Sequence, residues 1–280
     1  MLGNLKGFLQ ASLAAALLVG CAACPALAAP TLGWKLIASY PHSTTAFTEG
    51  LAICNGNLVE SDGLYGNSQI EIRTLHTGRV LEHHTLPANT FGEGTTCAGG
   101  RILQLTWRAG LVFAYDANLN PLGRYPLDDE GWGLAFDGQR LIASDGTAVL
   151  HFLDPQSLEV TGSVTVRDDG RPVAQLNELE YALGSVWANV WHTDRIARIA
   201  ENSGVVTGWL DLSKLVHRVH RNPRWVPGAE NVLNGIAYDA DSGHFFVTGK
   251  DWPEMYEIAL DHGPARNRAV DSTSRETVDE

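Results

Sequence analysis

An all-β fold, a five-bladed β-propeller, is what this sequence predicts, and three observations predict it. First, a short plan recurs: a polar, Gly-containing turn, an apolar strand of four or five residues, a second turn and a second strand. Its openings are "FTEGLAICNG", "FGEGTTCAGG", "GWGLAFDGQR", "LNELEYALGS" and "LNGIAYDADSG". With Gly50, Gly94, Gly133 and Gly235 as anchors, the steps are 44, 39 and then 102 residues, the last step containing the copy at Asn177. A repeat of roughly 40 to 50 residues is the size of a four-stranded propeller blade. Second, each of the first four pairs is followed by another hairpin, such as "LVFAYDANLNPLGRYPL" or "RIARIAENSGVVTGWLDL", in which strand, Asp/Asn/Gly turn and strand follow one another. Third, the fifth copy ends at "EMYEIALDHG" without a return strand, while an unattached strand, Trp34 to Tyr40, precedes the first copy. Placed in the last blade, it closes the ring and covers the sheet edge. A β-sandwich with turn-rich loops is the alternative.

From the N-terminus, residues 1–28 have the form of a leader. Lys6 supplies a positive start, Phe8 to Val19 an apolar run, and "ALA" at Ala26 to Ala28 a cleavage site. "LVGC", ending at Cys21, resembles the bacterial lipobox, whose cysteine is lipidated after cleavage. Either route implies export to the periplasm, the second with a membrane anchor through lipid. No later run of 18 apolar residues occurs, which argues against a multi-span helical membrane protein. The propeller is expected over residues 31–262. Its one helical stretch, "LSKLVHR" from Leu212 to Arg218, lies inside a long insertion reaching Pro227. Residues 263–280 form a polar tail.

Hydrophobic residues make up 44% and charged residues 19% of the 280, ample for a sizeable core. A net charge of -12 without a Lys/Arg stripe argues against nucleic-acid binding. Cys54 and Cys97 would share an oxidising compartment, where either a disulfide or two buried thiols is allowed. No zinc spacing, G-x-S-x-G, P-loop or dinucleotide fingerprint is present.

Propeller topology brings the entry to strand 1 and the exit from strand 2 to one face of each blade. Glu49, Glu93, Trp132, Glu178 and Asn234 are therefore expected in one ring about the channel mouth. Asp62, Trp107, Asp145, Trp191 and Lys250 are expected in a second. Two carboxyl groups facing one small pocket cannot both ionise cheaply, so Glu49 and Glu93 are the candidate proton-transfer pair. Alternatively they are two solvated turn residues. Trp107, Trp132, Trp191 and Trp252 recur at blade connections and are candidates for a box of rings, or for packing between blades. Asn189 and Asp194 read first as structural. Lys250 pairs with Asp251 in the plain interpretation and contacts substrate or an oxyanion in the sharper one.

The stretches "AFTEGL", "FGEGTT", "LTW", "GWGLAFDGQRLIASDGT", "LNELEYALGSVWANVWHTDRIARI" and "VLNGIAYD…FFVTGKDWPEMYEI" resemble the plant and bacterial type of glutaminyl-peptide cyclotransferase, from about Tyr40 to Ile258. The resemblance implies a five-bladed propeller that converts N-terminal glutamine of peptides or proteins to pyroglutamate and releases ammonia. It places the central glutamate on Glu93 and the amine-binding acid on Glu49. Substrate binding falls on Trp107, Trp132 and Trp191, with Glu178, Asn189 and Lys250 nearby. Many bacterial members have "FTQGL" where this chain has "FTEGL". No cofactor is required and no metal ligand is assigned; a structural calcium ion, as in some plant members, stays open. Two other classes compete: a metal-dependent propeller hydrolase such as a lactonase, and a non-enzymatic envelope scaffold.

Overall fold

The computed structural model describes residues 28–128 and 130–261. The lipobox at Cys21, nearly all of the leader and the tail 263–280 lie outside the described residues. Five sheets, each built on four antiparallel strands, are arranged as five blades. Blade 1 runs through Thr48–Cys54, Asn57–Asp62, Gln69–Thr74 and Val80–Thr85. Blade 2 is Gly92–Ala98, Arg101–Thr106, Leu111–Tyr115 and Pro121–Pro126. Blade 3 is Leu134–Phe136, Leu141–Ser144, Val149–Leu153 and Val160–Thr165. Blade 4 is Leu176–Ala182, Ser185–Val190, Arg195–Ala200 and Val205–Asp211. Blade 5 takes Leu233–Asp239, His244–Gly249 and Glu254–Leu260 from the C-terminal end. Its outer strand is Trp34–Pro41, antiparallel to Glu254–Leu260, so the N-terminal strand closes the ring as expected.

Burial falls from the axis outward. The first two strands of blade 1 are almost wholly buried and the fourth is almost wholly exposed. Large side chains fill the wedges between blades. Trp187 of blade 4 meets Phe245 of blade 5 with ring centroids 4.8 Å apart, both fully buried. Each such side chain contributes roughly 1.5–3 kcal/mol through removal from water.

At the axis the blades meet backbone to backbone, which explains the glycine anchors. A Cβ on Gly50 would lie 2.5 Å from the Thr95 nitrogen, one on Gly94 2.6 Å from the Leu134 nitrogen, and one on Gly133 2.1 Å from the Asn177 oxygen. Blade 4 departs from this rule. The registers place Glu178 where the other blades carry glycine, and Asn177 where they carry Glu49, Glu93, Trp132 and Asn234. Glu178 is fully buried and spans the axis, its two oxygens accepting the amide N–H groups of Leu51 at 3.2 Å and Ile236 at 2.7 Å.

Blade 4 also carries additions that the repeat does not announce. Blade 4 is widened by Thr31–Leu32, parallel to Val205–Asp211, and by a small hairpin of Arg167–Asp168 with Arg171–Pro172. Asp168 holds this edge, accepting from the Ala29 amide and the Trp209 indole, both at 2.8 Å. The helix, α1, spans Ser213–Val219 and buries Leu215, Val216 and Val219. Cys54 and Cys97 are joined in a disulfide that ties the ends of the first strands of blades 1 and 2.

Candidate functional site

In blades 1, 2, 4 and 5 the first strand begins with an irregularity in register, at 48–50, 92–95, 176–179 and 233–236. A bulge re-aims side chains that a regular pleat would turn into the sheet. Glu49, Glu93 and Asn177 sit in these bulges and line one cavity of about 270 Å³. Three further residues of its wall come from just after strand 2, each held by the same backbone bond. The N–H of Trp107 donates to the Phe91 carbonyl, that of Trp191 to Gln175, and that of Lys250 to Val232. Trp132, Phe47, Phe91 and Glu230 complete it.

The carboxyl groups are buried and electrostatically linked. Glu49 Oε1 accepts from Lys250 Nζ at 2.7 Å and Oε2 from Asn234 Nδ2 at 3.2 Å. Burial pushes Glu49 up, Lys250 pulls it back and Glu230 adds to the rise, leaving its pKa at about 7. Glu93 is raised well above the usual carboxylate range, first by burial and then by the charge of Glu49. Among the described residues no hydrogen bond reaches its side chain, so burial is not offset by a donor. Its position is held through its own backbone: the Ser61 hydroxyl donates to the Glu93 carbonyl, Gln104 Nε2 donates to Ser61 at 2.8 Å, and Tyr115 donates to Gln104 Oε1 at 3.1 Å.

The indoles are fixed in part by Glu130, whose carboxylate accepts from Trp107 Nε1 at 2.8 Å and Trp132 Nε1 at 3.4 Å. Trp132 meets Trp191 edge to face, with centroids 5.4 Å apart. Trp191 and Asn177 belong to the cavity wall, and among the described residues the buried Trp191 Nε1 donor and Asn177 Oδ1 acceptor have no partner.

Glu49, Glu93, Trp107, Trp132, Trp191 and Lys250 are thus brought together, as the sequence predicts. Glu178, Asp62 and Lys250 depart from expectation, while Asn189 and Trp252 take the structural alternative. Glu178 and Asn189 do not line the cavity; Glu178 occupies the axis, and Asn189 Oδ1 accepts the Gly235 N–H at 3.2 Å. Asp62 is one residue short of the second ring, being paired with Thr48 inside blade 1. Gly63 takes that place, because a Cβ there would lie 2.3 Å from Phe91. Trp252 is fully buried with its indole donating to the Asn231 carbonyl at 3.2 Å. Lys250 pairs with Glu49, not Asp251. Phe47 and Phe91 stand within the repeated openings without a mark of their own, and Asn177, the anchor of the blade-4 copy, takes the place expected of Glu178. Glu130 and Glu230 carry no sequence signal, since the loops that deliver them follow no repeat.

A closed propeller whose indole-walled cavity holds two electrostatically linked carboxyl groups defines the class, an enzyme with a site suited to proton transfer on a small guest. Comparison with known proteins gives this class its place. A family model described as glutamine cyclotransferase matches residues 10–260, and the chain belongs to that family. It is 42% identical over 238 residues to a glutaminyl-peptide cyclotransferase of Arabidopsis thaliana, covering 83% of this chain and 73% of the relative. It is also similar to the solved glutaminyl cyclase of Myxococcus xanthus, with a TM-score of 0.78 and 35% identity over 84% of this chain and 100% of that one.

Proposed function

We infer that this chain is a glutaminyl-peptide cyclotransferase that converts N-terminal glutaminyl residues of peptides and proteins to pyroglutamate with release of ammonia, and that Glu93 is its proton-transfer group. The carrying observation is that Glu49 and Glu93 share one buried cavity with three indoles. In the reaction the α-amine nitrogen attacks the side-chain carboxamide carbon, the new C–N bond closes a five-membered ring, and the old one breaks to release ammonia. One proton must leave the amine and one must reach the departing nitrogen. Glu93, held protonated by burial, donates to the departing nitrogen and is restored by the proton of the amine.

Attack requires a neutral amine, whose pKa in a peptide is about 7.7–8.0. The Glu49 carboxylate accepts an amine N–H and orients the lone pair, while Lys250 keeps that carboxylate ionised nearer neutrality than burial alone would allow. Trp107, Trp132 and Trp191 clamp the methylenes in the ring-closing rotamer and exclude water. A primary carboxamide offers one acceptor and two donors. Trp191 and Asn177 of the cavity wall carry a donor and an acceptor of these kinds, both buried and unpaired among the described residues. Glu178 and Asn189 act from beneath, by holding the inner strands in register at the axis.

No step in this scheme calls on a cofactor. Export is proposed with it: the disulfide suits an oxidising compartment, and either signal-peptide cleavage or lipidation at Cys21 would follow from the leader. The test is ammonia release from Gln-initiated peptides with and without EDTA. Release that survives EDTA and falls about 10²- to 10⁴-fold in kcat in a folded Glu93→Gln protein is expected. Near-normal kcat in that variant removes Glu93 from the mechanism, and EDTA-sensitive release makes a bound metal necessary.

A further inference from the structure

The glutamine pocket is not the larger cavity on this face. A second cavity of about 470 Å³ lies beside it. The two adjoin along the chain at two points: Trp191 walls the first and His192 the second, and Glu230 walls the first while Ala229 and Asn231 wall the second. The second cavity is largely the work of added chain. Blade 1 passes to blade 2 through residues 86–91, and blade 2 to blade 3 through 127–133. The passage from blade 4 to blade 5 takes residues 212–232, including α1. Loops of this length in an otherwise tight scaffold are characteristically functional. The wall is mainly apolar, with Val216, Trp225 and Pro227 on the inserted side. Trp225 stacks on His220 at 4.3 Å between centroids, its indole N–H buried without an acceptor among the described residues. On the other side His192, at a positive φ of 58° that side-chain-bearing residues uncommonly adopt, stacks on Trp191 at 4.0 Å.

We propose that this cavity binds the residue that follows the N-terminal glutamine in the peptide, with preference for an aromatic or large apolar side chain. The inference rests on the cyclase function. In that function both the amine and the side chain of the glutamine are enclosed, so the polypeptide leaves only through the glutamine carbonyl. Consecutive Cα atoms are 3.8 Å apart, so the next side chain must be received by whatever adjoins the pocket, and the insertion has built an apolar hollow there. Trp225 and His220 supply a stacking surface. Asp194 in the cavity wall and Glu230 at the junction place two carboxylates against an acidic residue at this position.

The experiment compares kcat/KM for Gln-Phe-amide, Gln-Ala-amide and Gln-Glu-amide in the intact protein and in Trp225→Ala and His220→Ala. The wild type is expected to favour Phe over Ala by about tenfold or more, as the gain from filling an apolar pocket, with Glu last. Each variant is expected to shrink the Phe-to-Ala ratio, chiefly through KM. Calorimetric binding of the same three amides to Glu93→Gln protein should repeat the order. Equal kcat/KM or equal affinity for Phe and Ala, or a variant that slows all three substrates alike, would overturn the subsite. Ordered binding without ammonia release by the wild type would instead count against the cyclase function and leave the subsite standing.

Discussion

Glu93 owes its chemistry to what surrounds it, since an exposed glutamate would be fully ionised at neutral pH. Burial and the neighbouring Glu49 hold it protonated, and the same cavity leaves Glu49 near pH 7. Activity should therefore rise through about pH 7 as Glu49 ionises, reinforced by loss of the substrate ammonium proton, and fall at higher pH as Glu93 loses its proton. Lys250 lowers the pKa of Glu49, so Lys250→Met should move the rising limb of kcat/KM to higher pH. A rising limb unmoved in that variant would show that the pair does not govern amine binding. The site also weakens the fold. A carboxyl group whose folded pKa is raised contributes stability that is lost as pH rises through that value. Glu93→Gln should raise the thermal midpoint over wild type at pH 8, with the difference shrinking toward pH 5. Such a trade between stability and activity is common where function demands buried charge.

At the scale of elements, the first strands of blades 1 and 2 carry Glu49 and Glu93 near one end and Cys54 and Cys97 near the other. The disulfide closes a loop with a sequence separation of 43. On the chain-entropy model that is about 4 kcal/mol of stabilisation. The Cys54→Ser/Cys97→Ser protein should show a lower denaturation midpoint by an amount of that order, measured by urea titration under non-reducing conditions. A second device sits where the closing strand hands over to blade 1. His42 is buried with Nδ1 2.7 Å from the Trp252 carbonyl and Nε2 2.7 Å from Glu60 Oε1. Both partners only accept, so both ring nitrogens carry protons. Burial alone would lower the His42 pKa, but the charge and hydrogen bond of Glu60 outweigh it and hold it above 6.5. Glu60, which burial would raise, is pulled down to about 2 by His42 and Arg73. The His42 contribution is thus fully present below about pH 6.5 and lost as pH rises through its folded value. His42→Gln should lower the thermal midpoint most at and below pH 6.5, and the gap should narrow at alkaline pH.

The whole molecule depends on one non-local pairing. Trp34–Pro41 covers the edge of Glu254–Leu260, over two hundred residues away in sequence. Removing residues 1–41 leaves that edge open, a template for pairing with a second chain. The truncated protein should associate or precipitate, which light scattering would detect; a monodisperse, active truncation would show that ring closure is dispensable.

The blade count, the closing strand, α1 and the cavity group of Glu49, Glu93, Trp107, Trp132, Trp191 and Lys250 were legible in the chain. They rest on local patterns: turn residues, apolar alternation and a repeat that puts equal positions on equal sites. Register was not legible to a single residue. Glu178 was read one place off because blade 4 carries a glutamate where the other blades keep the axial glycine, and Asp62 because it still pairs with Thr48 inside the sheet. The roles of Glu130 and Glu230 also stayed hidden, since both ride on loops outside the repeat. By itself, then, the sequence determined that five hairpin pairs must close into a ring with acids and indoles at one mouth, because short-range periodicity sets which face each side chain takes. Only the tertiary structure decided that Cys54 meets Cys97, that Lys250 turns to Glu49, and that Glu178 plugs the axis. These are contacts between distant segments, fixed by how closely neighbouring blades approach, and no local pattern encodes that distance.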